Sequence, residues 1–114
     1  MTTPTHSLPA ACFHVLLSLS DSSRHGLGIM EEVEARTDGV VLLGPGSLYG
    51  SLKRLVNEGF IVESNDRPVE DDDARRRYYE ITGPGRSALR AELETLAKIL
   101  DTAREKALIP GGSR

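Results

Sequence analysis

The sequence predicts a mainly helical fold with one small β-hairpin. Three observations indicate this fold class: apolar residues recur at helical spacing in three successive segments, the spacing then changes to that of β-strands, and a long helical pattern follows. The chain has 114 residues, 39% of them hydrophobic and 27% charged, so one domain with a single packed core is expected. Because aromatic residues make up only 4% and Trp is absent, this core is expected to consist of aliphatic side chains.

The first two helices are predicted at residues 10–19 and at about residues 26–37. Pro9 precedes the first helix, where proline is well tolerated. Phe13 and Leu17 are apolar on the side opposite to the main apolar stripe, which predicts that this helix is buried on two sides. An Asp-Gly pair ends the second helix.

A third helix is predicted from Ser47, as its N-cap, to Glu58, after a short β-prone piece at residues 40–43. Gly59 follows, in the position that favours a left-handed backbone. Leucines form the buried stripe of this helix. The opposite face, found by turning about 100° per residue, is small, polar and basic, and consists of Gly46, Ser47, Gly50, Lys53, Arg54 and Asn57.

A hairpin and a long helix complete the pattern. The strands are predicted at residues 60–64 and 75–81, joined by a polar loop with an acidic tip at residues 70–73. Thr82 is expected to cap the last helix. That helix carries a coiled-coil-like seam with spacings of 4 and 3, formed by Leu89, Leu93, Leu96, Leu100, Ala103 and Ala107.

Three helices followed by a hairpin is the order of a winged helix-turn-helix domain. In that fold the third helix enters the major groove of DNA and the hairpin lies beside the phosphate backbone. We therefore predict a winged-helix domain at residues 1–83, with a loose N-terminus at residues 1–7. A dimerisation helix at residues 84–109 and a loose tail at residues 110–114 follow.

Four motifs occur in one order within about residues 10–90: HGLGIMEEV (25–33), LGPGSLYGSLKRL (43–55), EGFI (58–61) and RRRYYEIT (75–82). Together they resemble the PadR family of bacterial transcriptional regulators, and the single C-terminal helix resembles the short subclass of that family. The resemblance implies a homodimeric repressor of nearby genes. Such repressors are often released from their operator by a small apolar or phenolic molecule.

Double-stranded operator DNA is therefore the expected partner. Gly50 lowers helix stability, which is explained if the helix backbone approaches DNA closely or if another helix crosses there. For the three consecutive arginines at residues 75–77, two roles are possible. They contact phosphates, or their charges are solvated and protect an edge strand. Tyr49 is expected to be half core and half phosphate contact. The predicted DNA-binding residues are Ser47, Tyr49, Gly50, Lys53, Arg54, Asn57, Arg75, Arg76 and Arg77.

The last helix predicts a homodimer. A helix of about 25 residues is about 37 Å long and extends beyond a domain of this size. Its seam covers the core of its own chain or a twofold-related partner. A cleft between the helices of the dimer would hold an effector, although drug-binding members of the short subclass use a central Trp there, which this sequence lacks. The predicted dimerisation residues are Phe13, Leu17, Leu89, Leu93, Leu96, Leu100, Ala103 and Ala107.

Other classes of site are not expected. His6, His14 and His25 lack the spacing of metal ligands, and Cys12 alone forms neither an intrachain disulfide nor a zinc cluster, so no metal and no cofactor is predicted. His25 is expected to form a structural hydrogen bond and Cys12 to pack as a small hydrophobe. No motif combines a nucleophile, a base and an orienting group, so the protein is not expected to be an enzyme.

Location and charge leave one alternative function open. The sequence has neither an apolar run long enough to cross a bilayer nor a secretory signal, so a cytoplasmic location without a membrane partner is expected. The net charge is −3, which argues against a surface that is positively charged throughout. A winged helix that docks a protein instead of DNA is the alternative, favoured by this net acidity and by the acidic tip.

Overall fold

The computed structural model describes residues 8–65 and 75–111. Within these ranges, four helices and a small antiparallel sheet confirm the predicted fold class. The order of elements is α1 (Ala10–Ser18), β1 (Arg24–His25), α2 (Gly26–Arg36), α3 (Pro45–Asn57), β2 (Ile61–Ser64), β3 (Tyr78–Ile81) and α4 (Gly83–Glu105).

The core lies where α1 packs against α2 and α3. Leu16, Ile29 and Leu48, one from each of these helices, are completely buried. Cys12 is buried among these aliphatic side chains, as predicted. Ile61 of β2 closes the core from the side of the sheet, so the sheet is fixed to the helices by apolar contact.

The sheet has three strands in the order β1–β3–β2, all antiparallel. β1 has two residues, too few to show an alternating pattern, and the sequence did not predict it. The predicted start of the second hairpin strand at residue 75 is wrong: β3 begins at Tyr78, because its partner β2 ends at Ser64, which pairs with Tyr78. The acidic tip at residues 70–73 lies outside the described residues.

The β-prone piece at residues 40–43 forms no strand. Instead, the hydroxyl of Thr37 accepts a hydrogen bond from the backbone N–H of Val41 at 3.0 Å, which folds the chain back after α2. The side chains of Val40 and Leu42 are exposed. Strand propensity without a neighbouring strand to pair with was not sufficient here.

The predicted N-cap at Ser47 is also wrong, because the N-cap is Gly44, three residues earlier, and α3 begins at Pro45. A proline in the first turn has no N–H to leave unpaired, and its fixed φ suits a helix, so the helix starts there. The helix ends at Asn57, and Gly59 adopts a φ of 79°, the left-handed conformation that the sequence predicts.

α4 begins where predicted and is joined firmly to the sheet. The Oγ1 of Thr82 accepts a hydrogen bond from the N–H of Gly85 at 3.1 Å and donates one to the carbonyl of Gly59 at 2.7 Å. A Cβ on Gly85 would collide with the carbonyl oxygen of Phe60, so only glycine lets α4 pack this closely. No helix of the described ranges is long and apolar enough to span a membrane.

A polar network connects α1 and α2. The buried hydroxyl of Ser18 donates to the Glu32 carboxylate at 2.7 Å and accepts from Arg36 at 3.1 Å. Arg36 also donates to Glu32 at 3.0 Å and lies 3.2 Å from Nδ1 of His14, which accepts because a guanidinium only donates. The hydrogen bond from Arg36 lowers the pKa of Glu32. Burial, assisted by the Arg36 charge, lowers the pKa of His14.

Candidate nucleic-acid interface

One face of α3 is exposed over its whole length. Three leucines on the other side, at positions 48, 52 and 55, are buried and hold the helix on α1 and β2. The exposed side presents hydroxyl, ammonium, guanidinium and amide groups, which are the donors that contact phosphates and base edges. The exposed residues include Ser47, Gly50, Lys53, Arg54 and Asn57 of the predicted DNA-binding set.

Gly50 lies at the centre of this face and has open space around it. A Cβ built on Gly50 meets no heavy atom of the described residues within 4 Å, apart from its chain neighbours and the nearby backbone of its own helix, and the same holds for Gly46. Among the residues that the structure describes, no other helix crosses closely at Gly50, which contradicts one of the two explanations for this glycine. The helix backbone is instead accessible from outside the molecule at this point.

Tyr49 belongs to α3, and its side chain contacts the start of α2. The residue is 57% exposed. A Cβ on Gly26 would lie 3.1 Å from the Tyr49 hydroxyl oxygen, so the ring packs closely over the first turn of α2. The hydroxyl group thus lies near the N-terminus of α2, in a position where it can also reach a ligand.

A groove of about 460 Å³ brings the predicted arginines to this tyrosine. The groove is lined by Arg75, Arg76 and Arg77, by the first residues of α2, and by Tyr49 and Tyr79. Burial raises the pKa of Tyr79, with a smaller contribution from the charge of Glu63. The groove therefore combines guanidinium groups, tyrosine hydroxyls and a helix N-terminus, all of which favour an anion.

The first turn of α2 is part of this groove, and the sequence analysis did not include it. His25 fixes its position: Nδ1 accepts a hydrogen bond from the N–H of Gly28 at 3.1 Å, which caps the helix. The imidazole ring packs edge-to-face on Tyr78, with 5.1 Å between the ring centroids. The prediction that His25 forms a structural hydrogen bond is confirmed.

Two carboxylates also lie at the interface and were missed. Glu58 accepts a hydrogen bond from Nε of Arg54 at 3.2 Å, and Glu63 accepts one from Arg77 at 2.7 Å. The first pair could have been found from its i, i+4 spacing on a helix. The second could not, because it depends on the register that places Glu63 opposite Tyr79.

The predicted dimerisation residues do not all occupy the same environment. Leu89 is buried in the core of its own chain, and Phe13 and Leu17 are half-buried against that core. Further along α4, Leu93 and Leu100 are exposed, and Leu96 and Ala103 are half-buried. Ala107 lies beyond the end of the helix with a φ of 59°. That these residues form a dimer contact stays a prediction. The apolar residues Ile99, Leu108 and Ile109 are also exposed, and the predicted dimerisation set did not include them.

No group of three or more potential metal ligands of the His, Cys, Asp and Glu types occurs among the residues that the structure describes. The described carboxylates of the interface are instead paired with arginines.

Comparison with known proteins points to one family. The family model of the transcriptional regulator PadR-like family matches residues 15–91. The chain is 37% identical over 92 residues to the transcriptional regulator Rv3488 of Mycobacterium tuberculosis, a match that covers 78% of this chain and 80% of that protein. It is 34% identical over 94 residues to a 37.1 kDa protein in transposon TN4556 of Streptomyces fradiae, covering 82% of this chain. It spans only 25% of the length of that relative.

The fold also resembles that of a protein solved with a nucleic acid. Bacillus subtilis PadR, in complex with operator DNA, matches with a TM-score of 0.63 and 20% identity, over 75% of this chain and 47% of that chain. At this level of identity the likeness shows the fold alone. That fold is the mainly helical, winged one described above.

Proposed function

Because this chain belongs to the PadR-like family of transcriptional regulators, we propose that it is a homodimeric repressor that binds operator DNA through α3 and the arginines before β3. The observation that supports this most directly is the exposed face of α3, with open space at Gly50 and donor groups on both sides of it. The structure of a fold relative with operator DNA is consistent with this use of the fold.

In this proposal α3 lies in the major groove. The missing side chain at Gly50 lets the helix backbone come close to the base edges, and Ser47 donates to a phosphate or a base. Arg54 is suited to guanine, which accepts two hydrogen bonds from a guanidinium, and Asn57 to adenine or a phosphate. Lys53 supplies a positive charge to the backbone of the duplex.

The groove beside Tyr49 is the proposed phosphate site. Its three arginines, two tyrosine hydroxyls and the N-terminus of α2 surround a space of about 460 Å³. A DNA phosphate that follows the edge of the major groove would be neutralised there. Counterion release then contributes affinity that does not depend on sequence.

We propose that two chains present these surfaces with twofold symmetry. The domain at residues 1–83 would bind DNA, and the helix within residues 84–109 would bind its counterpart through the exposed leucines of α4. The operator is then expected to be a pseudo-palindrome with half-sites about 34 Å apart. Release by a small apolar or phenolic effector stays a prediction of the family resemblance.

The proposal is tested by mobility shift with DNA from upstream of the protein's own gene. Arg54→Ala and Arg76→Ala are each expected to weaken binding, Arg54→Ala by about 1–3 kcal/mol if it reads a base. The matched control is Arg90→Ala, which removes an exposed arginine from α4 and is expected to leave the affinity unchanged. About four phosphate contacts per protomer predict a slope near −7 for log affinity against log salt.

Two results would refute the proposal. One is tight binding by the wild type that both Arg54→Ala and Arg76→Ala leave intact. The other is a wild-type protein that enriches no duplex from a random DNA library and instead captures a protein partner, which would favour the protein-docking alternative.

A further inference from the structure

We propose that Glu58 and Glu63 are specificity-determining residues, whose carboxylates hold Arg54 and Arg77 and repel phosphates so that DNA without the operator sequence binds weakly. This inference rests on the proposed function, because it concerns how the same interface chooses between DNA sequences. It assigns a role to two acidic side chains that a simple positive surface would not contain.

The geometry places both carboxylates inside the interface. Glu58 follows α3 directly and binds Nε of Arg54 at 3.2 Å. Glu63 lies on β2 and accepts a hydrogen bond at 2.7 Å from Arg77, the residue before β3. A groove of about 230 Å³ between α3 and the sheet is lined by Glu63 together with Lys53 and Asn57 of α3, so this carboxylate faces the proposed DNA-binding side.

The stability of the fold does not explain why position 58 is a glutamate. A carboxylate at the C-terminal end of a helix interacts unfavourably with the helix dipole. The pair also has the less favourable order, because the acidic residue of an i, i+4 pair stabilises a helix best when it comes before the basic one. Both members are exposed, and such pairs contribute little in water.

Stability does not explain Glu63 either. The pair with Arg77 is more exposed still, with 57% of the Glu63 side chain and 70% of the Arg77 side chain accessible. Opposite charges on neighbouring strands in such a setting contribute little to folding. Both glutamates are therefore expected to be replaceable by glutamine without loss of the fold.

The effect on DNA binding differs between two kinds of duplex. DNA of arbitrary sequence offers mainly phosphates, so an arginine that moves to a phosphate must leave its carboxylate, which then stays close to the negative backbone. The operator also offers base edges that hydrogen-bond to the exposed face of α3. In the operator complex these base contacts hold α3 in place while Arg54 and Arg77 stay on their carboxylates, so the carboxylates weaken this complex less than the complex with DNA of arbitrary sequence.

The experiment compares two duplexes of equal length and composition. One is enriched from a random library by the wild-type protein, and the other is its scrambled sequence. The dissociation constants of both are measured at about 50 mM and 200 mM salt for the wild type, Glu58→Gln, Glu63→Gln and the double variant. Glu94→Gln, on α4 and outside the interface, is the control with the same change of net charge.

Each glutamine variant is expected to bind the scrambled duplex about threefold more tightly per protomer, from the interaction of one charge with a phosphate several ångströms away in water. The enriched duplex is expected to gain less, so the ratio of the two affinities falls. The gain should shrink at the higher salt concentration, because the interaction is screened. Glu63→Asp, which keeps the charge, should behave like the wild type, and melting temperatures should not change.

Failure takes two distinguishable forms. If the wild type enriches and binds a duplex, but neither glutamine variant binds the scrambled DNA more tightly, or Glu94→Gln does so equally, this inference is overturned and the proposed function stands. If the wild type enriches no duplex at all, the proposed function fails, and this inference fails with it.

Discussion

Glycine has two opposite roles on the helices of this chain. At Gly85 there is no room for a side chain, because a Cβ would collide with the backbone of Phe60 and lie 2.9 Å from Cγ1 of Ile81. At Gly50 there is open space on the outer face of α3. The first glycine is needed for packing within the chain, whereas the second is needed only if something outside the chain approaches.

The two positions therefore form a matched test. Gly85→Ala is expected to lower the free energy of unfolding by about 2 kcal/mol or more, because it overpacks a fixed contact. Gly50→Ala is expected to raise it by about 1 kcal/mol, because alanine favours a helix interior. Urea denaturation measures both. Gly50→Ala should nevertheless bind operator DNA more weakly, and an unchanged affinity would contradict a close approach of the α3 backbone to DNA.

The sequence correctly predicted which side chains are exposed where this depends on helical periodicity alone. Lys53, Arg54 and Asn57 lie on the exposed face of α3 because the leucines opposite them are buried, and this follows from the spacing. Glu63 was missed because its arginine partner, the residue before β3, lies 14 residues away in the sequence. Periodicity carries no information on which residues of two strands are neighbours.

The contact between α1 and α2 depends on charges as well as on apolar packing. Arg36 binds the Glu32 carboxylate and Nδ1 of His14, and the buried hydroxyl of Ser18 joins them. The pKa of Glu32 is lowered by its hydrogen bond from Arg36, and that of His14 by burial and the Arg36 charge. The unfolded chain therefore binds protons more readily than the folded one at both sites.

This difference predicts a loss of stability in acid. As the pH falls below about 6.5, the ordinary pKa of histidine, the unfolded state takes up a proton at His14 before the folded state does. Glu32 adds a further loss below its own ordinary pKa. Between about pH 7.5 and about pH 5, the range in which histidine ordinarily titrates, the melting temperature should fall less for His14→Gln than for the wild type. If the melting temperatures of the two proteins fell equally with pH, His14 would not contribute to the loss of stability in acid.

Among the elements, the helices were predicted more accurately than the strands. A helix is defined by contacts within its own sequence, so its bounds follow from local residues such as Thr82, which caps α4 as expected. A strand also needs a partner: residues 40–43 have strand propensity but no neighbour, whereas Arg24–His25 pair with β3 although their two residues show no pattern. The start of α3 was missed because Pro45 and Ser47 are both favoured near a helix start, and the proline comes first.

The whole molecule has an apolar side that the single chain does not cover. Leu93, Ile99 and Leu100 on α4 are between 39% and 55% exposed. Association with a second copy would bury them, so a charge placed there should oppose it. Leu93→Glu combined with Leu100→Glu is expected to give a monomer at micromolar concentration in analytical ultracentrifugation and to bind the operator more weakly.

Val40→Glu is the control for this experiment, since Val40 is exposed but lies outside α4. It should leave the oligomeric state unchanged. A wild-type protein that sediments as a monomer, or a double variant that remains a dimer, would rule out the proposed use of α4. Length and total charge could not decide this point, because a net charge of −3 does not say how charged and apolar residues are distributed over the surface.

The short strand β1 has a mechanical consequence for the molecule. Its second residue, His25, pairs with Tyr78 of β3, and α2 starts at the very next position along the chain. No residue lies between β1, which pairs with β3, and α2, whose first turn Tyr49 contacts. We therefore expect a ligand that displaces β3 to displace the N-terminus of α2 as well.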